Sequence, residues 1–377
     1  MSLASTTNAS SSLTERVFNF SAGPAVLPLP VLEQIQAEMI SLPGVGSSVL
    51  EISHRAKEFD AILDDTNRRL RELAGIPESY EILYLQGGAA LQNAMIPANL
   101  ITDRSQTADY IITGTWGKKS AAEVKHYGEL NVAFDAKAEQ YRRTPEDGEL
   151  NLNSNSAYVH LTYNETIQGV QFPQLPETDN VPLVVDHSSD IFCSPLTIED
   201  YGLIYACAQK NLGIAGVTLV IMRKELLERS SSDRLPSYLN YALHAENGSR
   251  YNTPPTFAIY VTGLVCKWLQ EEMGGLAGIA QVNQQKSSHL YQVIDSSGGF
   301  YIGHADPRCR STMNVVFKTP SEELDAKFLT EAKSVGLTTL KGHRSVGGIR
   351  ASIYNAMPVA GVNTLADFMI DFAKQNG

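Results

Sequence analysis

The segment LIYACAQKNLGIAGVTLVIMR sets Lys210 between two apolar runs, 203–206 and 217–222, with a glycine-containing loop after it. A surface lysine stays protonated and solvated. At the end of a buried strand, desolvation can lower its pKa until the amine attacks a carbonyl and forms a Schiff base. Gln209 beside it offers a further donor. Asp186 closes another apolar run in PLVVDHSSD. A carboxylate so placed is partly desolvated and needs a partner, which a protonated ring nitrogen, an arginine or a helix N-terminus could each supply. His187 next to it reads as a hydrogen-bonded histidine, with a ligand role as the alternative.

Three more segments place polar or small residues just past apolar runs, and a fourth sets them ahead of a proline pair. In LQGGAALQN, Gly87, Gly88, Ala89 and Ala90 turn a strand into a helix. Backbone N–H groups there can cradle an anion, although a plain turn uses the same residues. The segment is neither a Walker A loop nor GxGxxG, which disfavours a nucleotide. Trp116 in TGTWGKKS offers a face for an aromatic ring, or else a core contact. In TYNETIQG, Asn164, Glu165 and Thr166 could orient a ligand hydroxyl or simply cap a helix. In SRYNTPPTFAIY, Asn252 and Thr253 precede Pro254 and Pro255, which fix an extended approach to a helix. Two basic groups remain: His54 and Arg55 in SHRAKEF, and Lys341, His343, Arg344 and Arg350 in LKGHRSVGGIRASIYN. Guanidinium forks suit carboxylate or phosphate, with surface ion pairs as the alternative for any single arginine.

The elements that must position these residues read as strands over 81–85, 108–113, 157–162, 182–185, 203–206 and 217–222. Helical patterns lie over 31–40, 59–73, 91–99 and 118–127. Short buried strands alternating with helices predict an α/β unit with a mostly parallel sheet covered on both faces. In such sheets ligands gather at the carboxyl ends of strands, which is where Asp186 and Lys210 fall. After about residue 270 the pattern changes to helices over 278–294 and 322–335 with strands over 313–317 and 348–353, a smaller α+β unit. A net charge of -11 disfavours nucleic acid as a partner, since backbone binding needs clustered cations. No apolar run approaches the ~20 residues that span a membrane. The four cysteines lack CxxC or zinc spacing and read as the reduced thiols of a cytoplasmic enzyme. Residues 1–15 are Ser/Thr-rich without a hydrophobic stretch and read as a disordered extension rather than a secretion signal.

From about Phe18 onward, FNFSAGPAVLP, SHRAKEF, YNETIQG, DHSSD, YACAQKNLGIAGVTLVI, YNTPPTFAIY and KGHRSVGGIRASIYNAMP, in this order, resemble the phosphoserine aminotransferases. These are class V members of the fold-type I enzymes that use pyridoxal 5'-phosphate. The resemblance implies a large, mostly parallel, seven-stranded α/β/α domain over 29–270. A small domain would comprise 16–28 with 271–377. It implies that Lys210 holds the cofactor as a Schiff base and that Asp186 pairs with the ring nitrogen. Trp116 would stack on the ring, and Thr166 would contact its phenolic-oxygen side. Ala89, Ala90 and Gln209 would hold the cofactor phosphate. Asn252 and Thr253 would reach that phosphate from a neighbouring subunit, which makes a homodimer the expected state. Arg350 would take the substrate α-carboxylate, and His54, Arg55, His343 and Arg344 the distal carboxylate or phosphate. Some members carry arginine where this chain has Ala90.

The implied reaction passes an amino group from glutamate to 3-phosphohydroxypyruvate, giving 2-oxoglutarate and O-phosphoserine. A related phosphorylated hydroxythreonine of pyridoxine biosynthesis is a second candidate substrate. Three alternatives stand beside it: a small-amino-acid transaminase, a cysteine desulfurase that would need Cys309 as an exposed nucleophile, and a non-catalytic phosphometabolite-binding protein.

Overall fold

The computed structural model describes residues 16–230 and 234–377, so the expected extension over 1–15 lies outside the described residues. Seven strands build the main sheet: β1 (Tyr80–Leu85), β2 (Thr107–Ile112), β3 (Glu129–Asp135), β4 (Val159–Thr162), β5 (Leu183–Asp186), β6 (Leu203–Cys207) and β7 (Thr218–Arg223). Their spatial order is β1-β7-β6-β5-β4-β2-β3. β7 runs antiparallel to both its neighbours, and every other pair is parallel. β1 to β6 therefore point one way, and their carboxyl ends share one edge of the sheet. Both faces are covered: Val184 and Val185, adjacent in β5, enter two different apolar cores. That is why the central strands read as unbroken apolar runs.

β3 has no counterpart among the expected strands. It lies at the edge of the sheet with Leu130 and Val132 at 40% and 42% exposed, so it lacks the apolar run that betrays a central strand. The expected helix over 118–127 is instead Thr115–Ala121 followed by a single 3-10 turn, Val124–His126. The helix expected from 91 starts earlier, as Gly88–Leu100, which draws Ala89 and Ala90 into its first turn. Lys210 does not end a strand. It sits in a one-turn helix, Ala208–Asn211, directly after β6.

The C-terminal part packs helices Gly275–Asp295, Glu322–Ser334 and Val359–Asn376 with a three-stranded antiparallel sheet of Ile302–Gly303, Asn314–Lys318 and Ile349–Ser352. Near the N-terminus, Phe18–Asn19 pairs in parallel with Leu337–Thr338, and Phe20 is buried among Leu290, Phe328 and Phe372. Helix Gly275–Asp295 joins the two regions. Leu276 and Ile279 lie in the core that covers the main sheet, and Leu290, Val293 and Ile294 in the C-terminal one.

Lys286, midway along that helix, is 1% exposed and donates to the carbonyls of Ile353 (2.8 Å), Tyr354 (2.7 Å) and Met357 (3.1 Å). The same loop is tied to the Lys210 turn, because the Asn355 N–H donates to Asn211 Oδ1 at 2.8 Å. Burial pulls the Lys286 pKa from 10.5 down to about 7. Between those values the unfolded chain holds a proton that the folded chain has released, so stability rises with pH across the window. Lys286→Met leaves the carbonyls without their donor. It should lower unfolding free energy at pH 7 by about 2–4 kcal/mol and flatten the rise toward pH 9, read by denaturant titration at both pH values.

Candidate active site

Five of the expected residues meet at the carboxyl edge of the sheet. Lys210 Nζ donates to Thr166 Oγ1 at 3.0 Å and lies 5.6 Å from the centre of the Trp116 ring. Thr166 follows β4 by a short hairpin, Asn164–Glu165 against Val170–Gln171. Asp186 ends β5, in register with Thr162 on one side and Tyr205 on the other. It is 6% exposed, and its Oδ1 accepts the Ser188 N–H at 2.8 Å. Burial raises its pKa, and the Lys210 ammonium pulls it the other way. Among the described residues no lysine or arginine pairs with Asp186 at ion-pair distance, so this buried carboxylate still lacks a cationic partner. Gln209 adjoins Lys210, and its carbonyl accepts the Ala25 N–H at 2.9 Å. A Cβ on Gly23 would lie 3.4 Å from Lys210 Cγ, so the N-terminal segment packs against the lysine stem.

The glycine turn lies beside them. Gly87 (φ 85°) and Gly88 (φ 65°) take left-handed conformations that only glycine adopts cheaply. They open the helix whose first-turn N–H groups, Ala89 and Ala90 among them, have no acceptor within the helix. The Ala89 N–H donates to Cys207 Sγ at 3.0 Å, a weak acceptor at the end of β6.

These features fit pyridoxal phosphate. The turn offers N–H donors to a phosphate, Asp186 offers an unpaired carboxylate to a ring nitrogen, and Lys210 offers an amine. The buried indole Nε1 of Trp116 also has no partner.

The basic residues divide. Arg350, half-buried on strand Ile349–Ser352, has no carboxylate partner among the described residues, and burial lowers its pKa. His343 Nδ1 lies 2.8 Å from Ser345 Oγ. Its pKa falls below 6.5 through burial and through the positive charges of Arg350, Arg344 and Lys119, so these four groups share one region. In contrast, His54 and Arg55 touch each other at 3.4 Å in a loop before helix Lys57–Ala74. Asn252 and Thr253 are exposed, and Thr253 engages the turn only through its carbonyl, which accepts from Gln86 Nε2 at 3.3 Å. Among the described residues no hydrogen bond or ion pair links these four to Lys210.

Two further residues join the site: Lys119, which the sequence did not single out, and Glu165, which it offered only as a residue that could orient a ligand hydroxyl or cap a helix. Lys119 Nζ lies over the Trp116 ring, 4.5 Å from its centre. Glu165, 0% exposed, accepts the N–H of Trp116 at 3.0 Å and of Gly117 at 2.7 Å. Burial lifts its pKa to about 7, while the two N–H donors act in the opposite direction. Its sequence signal was the polar run TYNETIQG, but its partners lie 49 and 48 residues away. The cysteine alternative loses its footing. Cys309 is 3% exposed, its thiol donates to the Arg142 and Asp306 carbonyls, and burial raises its pKa. Among the described residues no cluster of His, Cys, Asp or Glu could hold a metal. His187 is satisfied by Asp190 at 3.0 Å and Tyr201 at 3.3 Å.

Comparison with known proteins gives the same direction. The family model described as aminotransferase class-V matches residues 17–365. A phosphoserine aminotransferase of Rhodopirellula baltica is 54% identical over 97% of this chain and 98% of its own length. That of Herpetosiphon aurantiacus is 51% identical over 96% and 99%. Among solved structures, the phosphoserine aminotransferase of Bacillus circulans subsp. alkalophilus superposes with a TM-score of 0.94 at 47% identity, covering 97% of this chain and 100% of that one. The pyridoxal-phosphate-bound enzyme of Trichomonas vaginalis gives 0.88 at 40% identity, with 94% and 99% covered.

Proposed function

The chain belongs to the class-V aminotransferase family, and on that premise we propose that it passes the amino group between L-glutamate and 3-phosphohydroxypyruvate, yielding 2-oxoglutarate and O-phospho-L-serine. The observation that carries this reading is the meeting of the Lys210 amine, the Thr166 hydroxyl, the Trp116 ring and the unpaired Asp186 carboxylate beside a glycine turn. Bound pyridoxal phosphate supplies an electron sink for the negative charge that develops at the substrate Cα.

The chain's own residues do the rest. Lys210 holds the cofactor through its amine and moves the proton at the substrate Cα. Asp186 keeps a proton on the ring nitrogen, a role suited to a buried carboxylate without another cation. Trp116 gives the ring its platform, and Thr166 orients the Lys210 amine. The N–H groups of Ala89 and Ala90 with Gln209 hold the phosphate. Arg350 takes the α-carboxylate, and His343 and Arg344 take the distal group.

His54, Arg55, Asn252 and Thr253 complete the site from a second subunit. The exposure of Arg55, Asn252 and Thr253 in one chain, and the exposed Leu50 (56%) shortly before His54 in the chain, support a homodimer. Four buried free thiols support a reducing, cytoplasmic setting.

The test is a coupled transamination assay with glutamate and phosphohydroxypyruvate on protein whose mass by light scattering is that of two chains. Phosphoserine formation supports the reading. Turnover with unphosphorylated keto acids alone would sink the substrate assignment.

A further inference from the structure

We propose that Glu165 is a positioning residue that fixes the Trp116 platform against Lys210. Its two carboxylate oxygens accept the adjacent N–H groups of Trp116 and Gly117, at 3.0 and 2.7 Å, and so hold the first turn of helix Thr115–Ala121. The next residue in the chain, Thr166, accepts the Lys210 N–H at 3.0 Å. One dipeptide thus holds both the backbone of the ring platform and the amine that faces it across 5.6 Å.

The surroundings are shaped for this carboxylate. A Cβ on Gly114 would come within 2.3 Å of Glu165 Cδ, and one on Gly117 within 3.3 Å of Oε1. Among the described residues Glu165 has no ion-pair partner, and although the Lys210 charge favours its ionised form, burial and the nearby Asp186 carboxylate oppose it, an arrangement that costs stability unless something else requires it. A neutral amide could accept only one of the two N–H groups and would turn its own NH₂ toward the other. Two convergent donors require two acceptor oxygens.

The experiment uses Glu165→Gln in a Trp268→Phe background, which leaves Trp116 as the only indole. In the apo-protein, Trp116 emission should shift to the red and become more accessible to acrylamide. Cofactor binding followed by absorbance should weaken about tenfold, the loss of one charge-assisted hydrogen bond. Gly114→Ala reaches the same end sterically, by displacing the carboxylate, and should show both changes. A purely structural role would lower the thermal midpoint while leaving the emission of the folded protein unchanged. Either variant, folded and with the emission and cofactor affinity of the parent, would overturn the proposal. Failure of both to fold would also overturn it, since Glu165 would then hold the fold rather than the platform. Because this role presupposes the proposed cofactor site, the apo-protein emission is read without cofactor. Wild-type protein that takes up no cofactor would count against that site and not against the hold of Glu165 on the Trp116 turn.

Discussion

Lys210→Ala should be a folded, colourless protein with turnover lowered by about 10⁴-fold or more. The side chain is only half-buried and makes one hydrogen bond, to Thr166, so its loss should barely alter unfolding. The wild type should show an absorbance band near the visible edge that borohydride removes, because reduction fixes the cofactor on the lysine. The variant should still bind cofactor through the glycine turn and Asp186, but dialysis should strip it. Retention of a borohydride-sensitive band in Lys210→Ala would mean that another amine holds the cofactor. The expected effect is large because the proposed reading puts two roles on one atom: Nζ would both anchor the cofactor and move the substrate proton.

The second large effect is expected at Arg350. Its guanidinium is half-buried, lacks a carboxylate partner among the described residues, and sits where burial lowers its pKa. Such a charge is costly until an anion arrives. Arg350→Leu should therefore raise KM for both glutamate and phosphoserine by about 10²–10³, the range for truncating one partner of a buried charge pair. Its thermal midpoint should hold or rise, since an uncompensated charge is gone. Steady-state kinetics and a melting curve on the same preparation check both arms. A KM near that of the wild type, or a steep fall in stability, would show that Arg350 serves the fold and not the substrate. This pairing of lost binding with retained stability separates Arg350 from Lys286, whose removal should destabilise because three carbonyls depend on it.

Much of the site was legible because buried parallel strands are apolar along their length, so the first polar residue after each run marks the functional edge. Asp186 could be read that way, and Lys210 nearly so, displaced by one helical turn after β6. The glycine turn could be read from Gly87 and Gly88, although composition could not tell a plain turn from the start of a helix whose first N–H groups find no acceptor within the helix. Helix Thr115–Ala121 could not be bounded from its own residues. Its N-terminus is held by the Glu165 carboxylate rather than by a local cap, and no spacing rule connects residues so far apart. Edge strand β3 escaped for a simpler reason, since its partly exposed residues leave no apolar run.

The sequence by itself therefore determined the class of fold, the placing of Asp186 and Lys210 at the carboxyl edge of the sheet as candidate residues, and, through long segments in a fixed order, the family. Those features are written in local apolar patterning and in residue type. Only the tertiary structure decided that β7 is reversed between β1 and β6, that Phe20 is buried in the C-terminal core, and that Arg350 stands near His343 and Lys119 without a carboxylate partner among the described residues. Each of these depends on contacts between residues far apart in the chain. Their formation is settled by which apolar faces pack together and which buried polar groups find partners, and a single stretch of sequence carries neither.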